Sequence, residues 1–261
     1  MTRPVIALIT DFGLQNHYVG VMKGVMLGIC PDATCVDITH DIPPQDTLTA
    51  ALELEAAVRY FPAGTIFLVV VDPGVGSSRR ALAIEAGDRR FVGPDNGVFT
   101  TVIRDAAAHH AVELTESRYW RFTVSRTFEG RDRFAPVAAW MATGVGLGSL
   151  GTAAGALTLL QIPAARATDD GLSGDVLCVD RFGNLVTNID RWQLESLGEV
   201  SVQIGAQHIS QVSGTYADVE EGAWLALIGS SDRLEISVRG GNASALLPAG
   251  RGARVRVLKR A

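Results

Sequence analysis

The chain has 261 residues, enough for one large or two modest domains, and its 47% hydrophobic and 20% charged residues are typical of a folded protein. A formal net charge of −5 at pH 7 argues against a general nucleic-acid or anionic-membrane binder, because phosphate groups are not attracted to such a surface. No signal peptide follows Met1 and no apolar run approaches the ~20 residues of a spanning helix, so we expect a cytoplasmic protein without a membrane partner.

Short apolar runs alternate with helical patterns in the first part of the chain. The run Ile66–Val71 is continuously apolar, which is typical of a strand covered on both faces. The alternation predicts an α/β domain over residues 1–165 with a mostly parallel sheet. The predicted strands and helices are, in chain order, strand Val5–Thr10, helix Tyr18–Ile29, strand Cys35–Thr39, helix Thr47–Tyr60, strand Ile66–Val71, hairpin strands Ala81–Ala86 and Arg90–Val92, helix Val98–Arg104 and helix Ala135–Thr143.

The pattern changes after about residue 160. Pro163 and the polar segment 168–171 have the composition of a linker or domain boundary. Helical periodicity is nearly absent beyond it, so we expect residues 172–261 to form a smaller all-β domain, either a small antiparallel barrel or a sandwich. Its predicted strands are Gly174–Val179, Leu185–Asn188, Val200–Ile204, Trp224–Ile228, Leu234–Val238 and Arg254–Leu258.

Acidic residues follow two strands of the predicted α/β sheet, where such sheets present their ligand crevice. Asp11 comes directly after the first strand, and could accept hydrogen bonds from both hydroxyls of a ribose or could cap a turn. Asp72 follows the most buried strand, and Arg79 lies seven residues on. The two predict a charge pair, which could serve either catalysis or scaffolding.

A third polar cluster precedes the helix that starts near Ala135. Glu129 lies there beside Arg131 and Asp132. A structural interpretation is also open, in which Asp132 caps the first helical turn and pairs with Arg131.

The predicted β domain has three strand-end loops rich in hydrogen-bonding groups. They are segments 180–184, 229–231 and 241–243, and each could be an ordinary hairpin turn. The five histidines include His40 near two aspartates, but no spacing matches a known ligand pattern, so we expect no metal site.

Seven segments, in order from residue 9 to about 245, resemble the S-adenosyl-L-methionine (SAM) hydroxide adenosyltransferase family, which is related to the bacterial fluorinase and chlorinase. Each segment alone is weak evidence for the family, but the occurrence of all seven in the family's order is highly specific. The segments are ITDFG, THDIPPQD, VVDPGVGSSRR, FVGPDNGVF, TFEGRDRFAPVAA, DRFGNLVTNI and GSSDRLEI with GGNAS.

The resemblance implies an N-terminal α/β domain, a C-terminal β-barrel and a homotrimer. It places each active site between the N-terminal domain of one subunit and the C-terminal domain of the next. It also implies an enzyme that hydrolyses SAM to adenosine and L-methionine, with SAM as the small-molecule substrate and no separate cofactor.

Position by position, the resemblance makes Asp72 and Arg79 two members of the hydrolases' Asp–Arg–His set. It makes Asp11 the partner of the ribose hydroxyls. The implied contacts on the neighbouring subunit are ring stacking or hydrogen bonding by Phe182 and Asn184, the methionine carboxylate at Ser230 and Ser231, and the adenine near Asn242 and Ala243.

Two positions depart from the family's pattern around the ligand. Gln45 stands where relatives have a larger ring-packing residue, and Asn16 stands where the halogenases have an acidic residue facing the methionine ammonium. The complete predicted substrate-binding set is Asp11, Asn16, Gln45, Phe128, Gly130, Asp180, Phe182, Asn184, Ser230, Ser231, Asn242 and Ala243.

A third departure falls on the predicted catalytic set Asp72, Arg79 and Glu129. Where the hydrolases have histidine in TFHGRD, this chain has Glu129, so either a carboxylate accepts the proton or the activity has changed or been lost. Because a sulfonium leaves as a neutral thioether, no general acid is needed, and we expect in-line attack of a positioned water on the ribose C5′. Asp72 would orient that water, Glu129 would share or take its proton, and Arg79 would stabilise the developing hydroxide.

Two other functions stay open. A SAM-dependent halogenase is disfavoured, because desolvating a halide beside carboxylates is strongly unfavourable. A non-catalytic SAM- or adenosine-binding protein would keep the binding residues while the histidine-to-glutamate change abolishes turnover.

Overall fold

The computed structural model describes residues 3–247 and 250–260 and divides into two compact units, Met1–Gln161 and Ile162–Ala261. The outer ends of the two predicted domains, residues 1–2 and 261, lie outside the described residues. Within those described ranges, no helix is long and apolar enough to cross a membrane.

The first unit is a seven-stranded sheet with helices on both faces. A π-helical turn, Gly130–Phe134, leads directly into its last helix. The strands and helices are, in chain order, β1 (Val5–Thr10), α1 (Tyr18–Ile29), β2 (Thr34–Thr39), α2 (Thr47–Val58), β3 (Ile66–Val70), β4 (Ala81–Ala86), β5 (Arg89–Pro94), α3 (Thr100–Asp105), β6 (His109–Leu114), α4 (Ala135–Ala142) and β7 (Gly151–Ala153).

The sheet is mixed, so the prediction of a mostly parallel sheet is wrong. The strand order is β2-β1-β3-β5-β4-β6-β7, and the first four strands are parallel, whereas β4, β6 and β7 are added in antiparallel pairs. The antiparallel half begins because only two residues, Gly87 and Asp88, connect β4 to β5, and such a short connection can join only antiparallel strands. Strands β6 and β7 were not predicted at all.

Alternate residues of β1 face two different hydrophobic layers. Ile6 and Leu8 pack in the cluster that includes α1 and α4, whereas Ala7 and Ile9 pack in the cluster that includes α2 and α3. This is the two-residue period of a strand buried on both faces. Strands β1 and β3 are therefore covered by side chains on both faces, and the loops that follow them start from buried, ordered backbone.

The second unit is a nine-stranded, almost entirely antiparallel sheet around one hydrophobic core. The predicted linker 168–171 is instead the turn between its first two strands. The elements are, in chain order, β8 (Arg166–Thr168), β9 (Gly171–Val179), β10 (Leu185–Asp190), α5 (Arg191–Glu195), β11 (Val200–Ile204), β12 (Gln207–Ile209), β13 (Val212–Ser213), β14 (Trp224–Ile228), β15 (Arg233–Val238), α6 (Ala243–Leu246) and β16 (Arg254–Lys259).

This second sheet curls into a nearly closed barrel. Its strand order is β12-β11-β16-β9-β10-β15-β14-β13, with β8 added beside β9, and the strands at the two ends of that order approach each other. Closure of this kind removes exposed sheet edges. The β-rich character predicted for this part of the chain is confirmed, although two short helices, α5 and α6, were not predicted.

We expect Asp46→Ala to lower the free energy of unfolding by about 1 kcal/mol, because a side-chain oxygen then no longer caps α2. In the structure Oδ1 of Asp46 accepts from the Thr49 backbone N–H at 3.1 Å, and Oδ2 accepts from the Thr49 hydroxyl at 2.7 Å. Urea unfolding followed by circular dichroism measures the change. Asp46→Asn, which keeps an acceptor oxygen, is the matched control and should lose less than half as much; equal losses would rule out the cap as the cause.

Candidate active site

Asp11 and Asp72 lie at the same edge of the first sheet. Strands β1 and β3 are parallel neighbours, with Thr10 paired to Val70, so the residues that follow them emerge side by side. The carboxyl ends of parallel strands are where open α/β sheets hold their ligands.

Arg79 joins two carboxylates that are far apart in the sequence. Its Nε donates to Oδ1 of Asp72 at 2.8 Å and its Nη2 donates to Oδ2 of the same residue, which makes a bidentate pair. The same Nη2 also donates to Oε2 of Glu129 at 2.6 Å. The three side chains that the sequence analysis assigned to catalysis are therefore in direct contact.

This cluster is largely shielded from solvent, with 10% of the Arg79 and Glu129 side chains and 5% of the Asp72 side chain exposed. Burial would lower the pKa of Arg79, but the hydrogen bonds and charges of Asp72 and Glu129 outweigh it and raise that pKa above its ordinary value. The guanidinium therefore remains a cation between the two acids.

The two acids differ in how their oxygens are used. Both oxygens of Asp72 accept hydrogen bonds, since Oδ1 also accepts from the Gly74 backbone N–H at 3.2 Å. Only Oε2 of Glu129 accepts one; within the described residues, Oε1 has no hydrogen-bond donor. Glu129 thus has the carboxylate oxygen that is open to a water.

Local backbone geometry holds Glu129 against the end of the sheet. The next residue, Gly130, is buried, and a Cβ there would lie 3.2 Å from Val70 and 3.4 Å from the sulfur of Met22. Gly130 also begins the π-helical turn, a feature that is frequent at functional sites.

Asp132 and Arg131 form a structural pair, as the alternative interpretation of this motif predicts, but the predicted helix cap is wrong, because the backbone N–H that Asp132 accepts from is that of Ser125, before the turn. The carboxylate of Asp132 is fully buried and accepts from Nε and Nη2 of Arg131, both at 2.7 Å. Burial would raise the pKa of Asp132, but hydrogen bonds from Arg131, from the Ser125 backbone N–H at 2.8 Å and from Arg121 at 3.1 Å hold it below its ordinary value.

The loop after β1 carries Asp11 and is fastened by its neighbours. Oδ2 of Asp11 accepts from the backbone N–H of Gln45 at 2.8 Å, and Gln45 itself has a left-handed φ of 67°. The Gln45 side chain and Asn16 are exposed, so Gln45 acts on Asp11 through its backbone.

His40 also supports this loop. Its Nδ1 lies 2.8 Å from the hydroxyl of Thr10, and its carbonyl accepts from the Gly13 backbone N–H at 2.8 Å. Its Nε2 lies 3.0 Å from Asp37, although outside hydrogen-bond geometry. Residues 3–247 and 250–260 contain no group of three acidic, histidine or cysteine side chains arranged for a metal ion.

Aromatic rings connect the Asp11 loop to the loop that bears Glu129. Phe128 lies 5.9 Å from Phe12 and 5.2 Å from Tyr18, measured between ring centroids, and both contacts are edge-on. Such contacts favour one relative placement of the two loops.

In the second unit, Asp180 organises the loop between β9 and β10. Its carboxylate accepts from the backbone N–H groups of Phe182 and Asn184, both at 2.8 Å, and from the Asn184 side chain at 2.9 Å. Asn184 is buried, whereas Phe182 is 74% exposed. An exposed ring on a tightly bonded loop is well placed for stacking on a ligand.

A cavity of about 460 Å³ adjoins this loop, within the size range of small-molecule sites. Five of its seven lining residues were not in the predicted set, and two of the five, Tyr216 and Arg239, have polar side chains. Tyr216 donates to Oε1 of Glu235 at 2.6 Å, and burial, this hydrogen bond and the charge of Asp180 raise its pKa. The lining residues are Phe182, Asn184, Tyr216, Val238, Arg239, Gly240 and Gly241.

The remaining predicted residues of the second unit lie outside that lining. Asn242 caps α6 by accepting from the Ala245 backbone N–H at 2.8 Å and packs directly against Gly183, whereas Ala243 is fully buried. Ser230 is exposed and Ser231 half-buried, both in the turn between β14 and β15.

Two family models match the chain. One is described as the SAM hydroxide adenosyltransferase N-terminal domain and matches residues 6–151; the other is described as the C-terminal domain of the same family and matches residues 174–256. Together they span most of both structural units.

Individual relatives agree with these models. The chain is 41% identical to an (R)-S-adenosyl-L-methionine hydrolase of Salinispora tropica, over 97% of both chains. It is 30% identical to a fluorinase of Nocardia brasiliensis, over 90% of both chains. A crystal structure of an uncharacterized conserved protein from Thermotoga maritima has a TM-score of 0.91 at 36% identity, over 97% of this chain and 99% of that one.

We expect Asp132→Asn to lower the free energy of unfolding at pH 7 by about 2 kcal/mol, less than for a fully buried pair because Arg131 and Arg121 are partly exposed. A lowered folded-state pKa stabilises the fold above the ordinary aspartate pKa and loses that contribution as the pH falls through the folded value. The gap between the two proteins should therefore shrink below about pH 4. Urea titrations at several pH values measure it, and a gap that is constant with pH would contradict the assignment.

Proposed function

The chain belongs to the SAM hydroxide adenosyltransferase family, and on that premise we propose that it is an enzyme that hydrolyses SAM to adenosine and L-methionine. The observation that carries the proposal is the buried Asp72–Arg79–Glu129 cluster, at the sheet edge that also bears Asp11. A hydrolase of this kind needs one positioned water and one proton acceptor, and this cluster has the groups for both.

The proposed reaction is an in-line displacement at the ribose C5′. The water oxygen forms a bond to C5′ while the C5′–S bond breaks, and methionine leaves as a neutral thioether. The water's proton passes to a carboxylate and then to solvent. The leaving group departs neutral, so the side chains of the Asp72–Arg79–Glu129 cluster act only on the attacking water. Holding that water in line with the C5′–S bond can lower the activation free energy by up to ~7–11 kcal/mol.

The different bonding of the two acids supports different roles. Asp72 is held by Arg79 through both oxygens, which suits a residue that orients the water without moving. Among the described residues no group donates to Oε1 of Glu129, which suits the proton acceptor. The cation of Arg79 would favour the partly formed hydroxide.

The substrate's other groups fall to the remaining predicted residues. Asp11, oriented by the Gln45 backbone, would accept hydrogen bonds from the ribose hydroxyls. Phe182, Asn184 and the newly identified Tyr216 would hold the planar base in the cavity of the second unit. Ser230 and Ser231 would bind the methionine carboxylate. Asn242 and Ala243 would lie near the adenine.

Halide transfer is the second candidate, because fluorinases are among the relatives. The charges oppose it, since a desolvated halide would have to lie beside Asp72 and Glu129 with only Arg79 to balance them. Incubation with SAM, with and without chloride or fluoride, separates the outcomes. Adenosine supports hydrolysis, 5′-halo-5′-deoxyadenosine supports halogenation, and tight binding without either product supports a non-catalytic role.

We expect Glu129→Gln to lower the rate of adenosine formation by about 10²–10⁴-fold, because an amide cannot take the water's proton. Binding of SAM, measured by calorimetry, should change little. Glu116→Gln, on an exposed ion pair with Arg118, is the control and should keep wild-type activity. Full hydrolysis with an unchanged pH profile in the Glu129→Gln protein would remove Glu129 from the mechanism.

We also propose that the enzyme is a homotrimer in which the first unit of one protomer meets the second unit of its neighbour. The Asp72–Arg79–Glu129 cluster belongs to one unit and the cavity beside Phe182 to the other, so a substrate that contacts both would need both units. Heterologous contacts of this type form a closed ring of three when each rotates the next protomer by a third of a turn.

The shared site predicts complementation between two inactive variants. Co-expression of Glu129→Gln with Asn184→Ala should restore activity at about a quarter of the sites, because random assembly pairs an intact first unit with an intact second unit at that frequency. Adenosine production by the purified mixed oligomer measures it. Activity no higher than that of the separate variants would show that each site lies within one protomer.

A further inference from the structure

A second guanidinium, that of Arg133, lies beside Glu129. Its Nη1 is 3.5 Å from Oε2 of Glu129, the same oxygen that accepts from Arg79. Arg133 follows Glu129 by four residues, so the π-helical turn presents both side chains on one side of the chain. The predicted site did not include Arg133.

Arg133 is held by stacking rather than by its own hydrogen bonds. Its Cζ lies 4.3 Å from the centroid of the Trp120 ring, the shortest of the cation–π distances among the described residues. Its Nε is buried and has no hydrogen-bond acceptor in the described part of the chain. A guanidinium that leaves a buried donor unpaired is kept in place by the ring and by the charge of Glu129.

The charge balance of the cluster gives Arg133 its role. Asp72 and Glu129 contribute two negative charges and Arg79 only one positive charge, so these three groups alone would leave one net negative charge largely shielded from water. An uncompensated charge in such a place is strongly unfavourable. Arg133, with 20% of its side chain exposed, supplies the missing positive charge.

We propose that Arg133 is a positioning residue for the hydrolytic reaction. By pairing with Oε2, together with Arg79, it holds the Glu129 carboxylate turned so that Oε1 faces the attacking water. The inference rests on the proposed function, because it assigns how the proton acceptor of that reaction is held.

The test compares three substitutions in the full-length protein. Arg133→Gln and Arg133→Met remove the charge, and the methionine keeps an apolar stem against Trp120; both should lower kcat about tenfold with KM for SAM within twofold of wild type. Arg133→Lys keeps the charge without the planar group and should retain at least a third of kcat. Arg118→Gln, which removes an exposed arginine stacked on Tyr119, is the matched control.

The pH profile of kcat gives a readout that a merely structural role would not move. The groups that face Glu129 are Arg79 and Asp72 from the loop after β3 and Arg133 from its own turn. Losing the cation of Arg133 disfavours the ionised carboxylate, so the acid limb should move to higher pH in the Gln and Met variants and stay in place in the Lys variant.

The outcomes separate this inference from the proposed function. If wild-type protein forms no adenosine, the proposed function fails, whatever the variants do. If it does, and the Gln and Met variants keep kcat within twofold and the acid limb unmoved, the inference alone is overturned. A Lys variant as slow as the Met variant, with thermal unfolding midpoints equally lowered in both, would also overturn it, since only ring packing would then matter.

Discussion

The bridge made by Arg79 is the interaction on which the rest of the site depends. Asp72 follows the buried strand β3, and Glu129 lies shortly before α4, the last helix of the same unit. Because the two residues are far apart in the sequence, local chain geometry does not bring their carboxylates together. Two carboxylates brought together without a cation would repel each other. The guanidinium adds an attraction to each carboxylate that outweighs their repulsion, and so it fastens the loop after β3 to the π-helical turn.

The supporting network is built outward from this bridge. Asp132 takes up Arg131 and Arg121, so that these guanidiniums neutralise the buried carboxylate of Asp132. Phe128 packs against Phe12 and so relates the Glu129 turn to the loop that carries Asp11. Each acid near the sheet edge has its own donors, and the arrangement separates a structural carboxylate from the two at the centre of the site.

The fold could be predicted where one local pattern decides the structure. The apolar run of β3 and the periodicity of α1 identified both elements, because burial on two faces or on one helical face leaves a plain signature. The antiparallel half of the first sheet, which contains β6 and β7, was not predicted. β6 starts with two exposed histidines and β7 has only three residues, so neither shows a strand pattern, and strand direction depends on pairing between distant segments.

The contacts of the candidate site could be predicted where its residues lie in dense motifs, and were not predicted where residues meet only in space. Asp72, Arg79 and Glu129 stand in dense polar motifs, and the family resemblance linked motifs that spacing alone could not. Tyr216 is a lone aromatic residue in a turn, and its place on the cavity wall depends on the closure of the barrel. Arg133 was inside a recognised motif, but its partner ring, Trp120, is thirteen residues earlier and beyond any local pattern.

The π-helical turn at 130–134 determines the direction in which neighbouring side chains point around the helix axis. Each residue of a regular α-helix rotates the chain by about 100°, so a wider turn changes which way the preceding side chain points relative to the helix that follows. Deleting a single residue from this segment would leave α4 itself intact but would rotate the Glu129 side chain away from the guanidinium of Arg79. The spacing between Phe128 and Ala135 is therefore part of what places Glu129 beside Arg79, along with the hydrogen bond itself.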